Sequence, residues 1–142
     1  MIAIEQINYI KVPVNEVYEA LTTAKGLGRV WTTDLTVQPE TGFINEFGFD
    51  EEAPTKMKII ELKTNEKILW ECVDSDPEWV GTHISFELAE KNSVTSVVLK
   101  HYDWRALTEF YRWCNYNWAM FLYSLKTYCE EGKGMPYQER KF

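Results

Sequence analysis

Two histidines occur in the chain, His83 and His101, and His101 is the better placed for chemistry. In the stretch 93–104, alternation puts Thr95, Val97, Leu99, His101 and Asp103 on one face. Val97 and Leu99 belong against a core, so His101 points inward, toward the end of a cavity. An imidazole there can bind a ligand carboxylate or act as a general base. Asp103 on the same face would orient the ring. The structural alternative is a histidine hydrogen-bonded inside the rim. No Ser or Cys nucleophile is placed beside the pair, and Cys114 falls on an apolar helix face as a small hydrophobe. His83 shares the polar side of its strand with Ser85 and Glu87 and is expected to face solvent. There is no His-x-x-x-His or Cys-x-x-Cys spacing, so no metal centre is expected. Gly26 and Gly28 lack the strand-before, helix-after context of a phosphate loop, so no nucleotide cofactor is expected.

Aromatic residues are the stronger signal. Six Trp, eight Tyr and seven Phe make up 15% of the chain. Trp31, Phe43, Phe47, Trp70, Tyr111, Trp118 and Phe121 can approach one interior, and rings with a few polar groups are what an apolar ligand pocket requires. The plainer alternative is that they fill a core. Asn117, at the edge of a buried helix face, either reads a polar group of the ligand or caps a sheet edge. Tyr116 and Tyr123 lie opposite that face, flanked by Trp113 and Met120. Such an exposed patch is expected to pack against a second copy of the chain.

Charge narrows the partners. Fifteen basic against 22 acidic residues give a net charge of −7, which repels phosphate backbones and anionic membranes. No stretch approaches the roughly 18 apolar residues of a membrane span. The first residues lack the basic and apolar regions of a signal peptide. Three cysteines form no even framework, and a reduced, cytoplasmic setting is expected. Glu51-Glu52 and Glu130-Glu131 read as solvated charge.

The elements that must position these residues follow from periodicity. A length of 142 residues suits one domain, expected over 1–134 with a loose tail over 135–142. Residues 2–12 read as a strand, and Pro13 opens a helix over 14–22 with Val14, Val17, Tyr18 and Leu21 on one face. Residues 24–31 read as a short, broken second helix. Strands are then expected over 34–38, 42–49, 56–63, 67–73, 79–88 and 93–104. A long helix over 107–131 carries Leu107, Phe110, Tyr111, Cys114, Trp118, Phe121, Leu122, Leu125 and Tyr128 on one face at about 100° per residue. Gly132 ends it. Consecutive strands without intervening helices make an antiparallel sheet. The last helix can bury its stripe only across the sheet's concave face. The expected fold is α+β: a curved six- to seven-stranded antiparallel sheet gripping a long C-terminal helix, with two short helices after the first strand and a cavity where sheet and helix fail to close.

Val12 through Thr22, Leu27 through Trp31, Gly42-Phe43, Ile59-Ile60-Glu61-Leu62 with Leu69-Trp70, Thr95 through His101, and Trp118, Leu122, Leu125 and Tyr128 to Gly132 together resemble the START-like, helix-grip (SRPBCC) superfamily. The resemblance is to the branch related to the C-terminal domain of the activator of heat-shock-protein-90 ATPase. It covers about Ile4 to Gly132. It implies a cavity for a small hydrophobic or amphipathic molecule rather than a particular reaction. It leaves a cyclase- or dehydratase-type enzyme using His101, or a chaperone-ATPase-modulating interaction protein, as alternatives. The chain has no room for the separate N-terminal domain such activators usually carry, which ranks the chaperone reading below binding.

Overall fold

The computed structural model describes residues 1–142. β1 (Ile2–Ile10) leads into α1 (Val14–Thr22) and α2 (Ala24–Val30). β2 (Leu35–Thr36), β3 (Ile44–Phe47), β4 (Thr55–Lys63), β5 (Lys67–Asp74), β6 (His83–Lys91) and β7 (Val94–Trp104) follow, and α3 (Glu109–Glu131) closes the chain's main body. All seven strands join one antiparallel sheet in the order β1-β7-β6-β5-β4-β3-β2. This is the expected α+β helix-grip arrangement.

Register explains the core. Ile4, His101, Ile84, Trp70 and Ile59 lie in one row across five strands, and all are buried. Leu99, Phe86 and Ile68 form the next row. Onto these rows α3 lays Cys114, Trp118, Phe121, Leu122 and Leu125, its buried stripe. Each large apolar side chain so buried contributes about 1.5–3 kcal/mol. Local chemistry sets the helix ends. The Thr108 hydroxyl accepts from the Tyr111 amide at 3.0 Å, and Gly132 takes φ 80° at the C-cap.

Several boundaries differ from expectation for identifiable reasons. Leu107 precedes the capped helix and is exposed. The strand expected from residue 79 begins at His83, because residues 79–82 form a turn in which the Thr82 amide and hydroxyl both donate to the Trp79 carbonyl, at 2.9 and 2.6 Å. The second helix is unbroken despite its two glycines: Gly26 faces Ala20, where any Cβ would collide with backbone. The segment 135–142, expected to be loose, is packed. The Tyr137 amide donates to the Trp31 carbonyl at 2.6 Å, Gln138 Nε2 to Thr32 Oγ1 at 2.9 Å, and Arg140 Nη2 to the Val30 carbonyl at 3.0 Å. Gly134 and Pro136 are buried.

Candidate functional site

Ring-to-ring contact fills the space between sheet and helix that the sequence leaves for a cavity. Trp31, at the end of α2, sits 4.5 Å from Phe47, 6.0 Å from Trp70, 5.5 Å from Trp118 and 5.6 Å from Phe121, measured between ring centroids. Phe47, Trp70 and Phe121 are buried core. Phe43 packs half-buried against that core. Tyr111 is occupied elsewhere: its hydroxyl donates to the Ala3 carbonyl at 2.8 Å and its ring meets Trp104 edge-on. None of these five, nor His101, borders the open space.

Open space lies instead at one end of the grip. A cleft of about 450 Å³ opens between the first half of α3, the β3–β4 and β5–β6 loops and the C-terminal segment. Trp31, Phe49, Trp79, Phe110, Trp113 and Trp118 provide its apolar walls. Trp79 stacks on Trp118 at 6.0 Å with ring planes 10° apart, and its indole N–H donates to Cys114 Sγ at 3.3 Å. Asn117 borders the cleft and donates from Nδ2 to the Trp113 carbonyl at 2.8 Å. Phe142 packs on Trp113 at 5.9 Å and on Tyr137 at 5.4 Å, placing the C-terminal segment at the mouth. Of the residues expected from sequence, Trp31, Asn117 and Trp118 therefore border the cleft. Trp79 escapes the sequence reading because it lies in the turn before β6, where a strand is expected. Tyr137 and Phe142, two rings in a short polar tail, were a usable signal.

His101 is a strut. It is wholly buried. Trp118 Nε1–H donates to its Nδ1 at 2.9 Å, so Nε2 carries the proton toward Thr82 Oγ1 at 2.8 Å. Burial first, and the neighbouring His83 second, hold its pKa down at about 3. The ring is neutral, with both nitrogens engaged.

The expected His101–Asp103 pair does not form. Register slips between Ile2 and Ala3, so that Asp103 is a bulged residue at φ 70° and Trp104 takes the inward position. The Asp103 carboxylate lies instead 2.7 Å from His83 Nδ1 on the outer face. His83 is thus half-buried and paired, not free in solvent. Burial pushes the thiols of Cys72, Cys114 and Cys129 up to about 12, far from the thiolate range.

Charge collects at the mouth. Glu51 and Glu52 from the β3–β4 loop and Asp74 and Asp76 from β5 and its following loop border the cleft and are exposed. Arg140 is the basic residue of the same lining. The Glu51-Glu52 pair is solvated, as expected, and also belongs to the rim. Along the exposed side of α3, Trp113 at the edge of the cleft, Tyr116 and Tyr123 are 46%, 56% and 59% exposed, and Met120 is half-buried. No helix is long and apolar enough to cross a membrane.

Comparison with known proteins agrees with this architecture. The Aha1 dimer from Colwellia psychrerythraea is 36% identical, with a TM-score of 0.87 over 94% of this chain and 100% of that one. At fold level alone, the protein SSP2350 from Staphylococcus saprophyticus matches with 20% identity and a TM-score of 0.76, over 94% of this chain and 95% of its own. An HSP90 activator from Plasmodium falciparum matches likewise with 19% identity and a TM-score of 0.72, over 89% and 95%. No curated protein matches the chain in sequence. A family model spans residues 11–130, from the end of the first strand to the last turn of α3, and on that span the chain belongs to the family described as Activator of Hsp90 ATPase homolog 1-like protein.

Proposed function

We propose that the chain binds a small hydrophobic or amphipathic molecule in the cleft at the end of the grip. The observation that carries this reading is the cleft itself: about 450 Å³, large enough for a drug-sized ligand, with indole and phenyl walls and a few polar groups at its edge. Trp31, Asn117 and Trp118 keep their expected role as contacts, joined by Phe49, Trp79 and Phe110. Because Trp31, Trp79 and Trp118 border the space, occupancy should quench tryptophan emission and raise the melting temperature by mass action. A lipid and metabolite screen that moves neither signal removes the proposal. The cyclase- or dehydratase-type alternative loses the pair it rested on, since His101 is locked outside the cleft and Asp103 lies on the other face of the sheet. The three unpaired thiols support a reducing, cytoplasmic setting.

A second reading concerns partners. The exposed rings of Trp113, Tyr116 and Tyr123, with Met120 between them, form an apolar face on α3, and the Colwellia relative is a dimer in solution. The relative's dimer supports self-association, and the exposed rings support this face as the place where two copies meet. Tyr116→Glu with Tyr123→Glu should shift sedimentation from dimer to monomer, and a wild-type chain that sediments as a monomer at every concentration removes the reading. Family membership and the likeness to a Plasmodium HSP90 activator support modulation of a chaperone ATPase; a chaperone pulldown with an ATPase assay tests it.

A further inference from the structure

We infer that the cleft selects a cationic amphiphile: a molecule with an aromatic or alkyl body and an ammonium head. This deepens the binding reading above and rests on it. The body is accounted for by the ring walls; the sign of the head comes from the charges around the mouth.

Five residues of the cleft wall carry charged side chains: Glu51, Glu52, Asp74, Asp76 and Arg140. The four carboxylates come from two separate segments on the sheet side. None of them takes part in an ion pair within the protein. Asp76 accepts one backbone bond, from the Glu78 amide at 2.9 Å, which leaves its charge uncompensated. These groups therefore present an unneutralised negative field across the opening of a cleft with low-dielectric walls, an arrangement that concentrates cations.

Arg140 does not offset that field as a free cation would. Its Nε donates to the Met135 carbonyl at 2.8 Å and its Nη2 to the Val30 carbonyl at 3.0 Å. Val30 is the last residue of α2, so the guanidinium sits against the negative end of that helix dipole. It fastens the C-terminal segment to α2, and burial holds its pKa down. An anionic head would face four carboxylates against one guanidinium whose donors are already engaged. An ammonium head is attracted by the carboxylates, and the exposed aromatic residues Trp113 and Phe142 line the same cleft, where a ring face attracts a cation.

A series with one body and three heads separates the possibilities: phenylbutylamine, phenylbutanol and phenylbutyrate, titrated by tryptophan emission and by calorimetry at low and high salt. The expected order is amine, then alcohol, then carboxylate, with the amine about tenfold tighter than the alcohol at low salt. Salt should shrink that advantage. The variant Glu51→Gln, Glu52→Gln, Asp74→Asn, Asp76→Asn, all at exposed positions, should abolish it, bringing the amine's affinity down to the alcohol's in the same variant. An alcohol or carboxylate that binds as tightly as the amine overturns the charge inference and leaves the binding reading standing. An amine preference that survives in the variant also overturns it. Failure of all three probes to bind takes both down. The wild-type series decides the sign of the head even if the fourfold variant melts early.

Discussion

Trp118 donates its indole N–H to Nδ1 of His101 at 2.9 Å, joining the long helix to β7 through a buried imidazole. On the other side of the ring, Thr82 links His101 to the turn that carries Trp79. Two walls of the cleft, Trp79 and Trp118, thus hang from one histidine that never touches the cleft.

Replacing His101 should therefore act through stability and position. His101→Ala removes the partner of Trp118 and of Thr82 and leaves a void, a loss of about 2–4 kcal/mol. Urea unfolding measures it, and a changed tryptophan emission in the native baseline reports the freed indole. A variant as stable as wild type would show that the network contributes nothing.

Acid should destabilise the fold through the same ring. The folded-state pKa is about 3 against 6.5 for the free side chain, so the unfolded chain binds the extra proton first. Stability is complete above about pH 6.5 and falls as the pH drops toward 3, by about 1 kcal/mol per pH unit from this group. Comparing His101→Gln with wild type across that range isolates the contribution, since the variant should lack this slope.

The three thiols should resist alkylation. With Cys72, Cys114 and Cys129 held near 12 by burial, iodoacetamide at pH 8 should modify native protein far more slowly than unfolded protein, by at least about a hundredfold on thiolate fraction alone. Mass spectrometry follows the reaction. Fast labelling at Cys114 would mean that the cleft wall opens in solution.

Gly26→Ala should be severe for a helix position, because the new methyl would strike the backbone of Ala20. A loss of about 1–3 kcal/mol is expected from overpacking, against the gain that alanine normally brings to a helix. Gly28→Ala, where only the Leu35 side chain lies near at 3.7 Å, is the control and should be nearly neutral. Thermal melting ranks the two.

Much of this was legible in the residues. Alternation at β7 and the stripe on α3 are local patterns, and each element need only bury its own apolar side to obey them. The order of elements then leaves few ways to cover both, which is why the fold class follows from the sequence. Gly132 and Pro13 mark helix ends by conformational preference alone.

What lay beyond the sequence depends on distances between remote segments. One bulged residue sends Asp103 to the outer face and brings Trp104 inward, and period-two reading carries no sign of such a slip. Whether Trp31 meets Phe47, Trp70 and Phe121 or leaves room between them is a matter of fractions of an ångström in close packing, which composition does not encode. Local patterning is enough to require a sheet that grips a helix with many rings inside. That those rings close upon one another at the centre and part at one end emerges only from the assembled fold, because packing there depends on loops and a C-terminal segment whose positions no local pattern specifies.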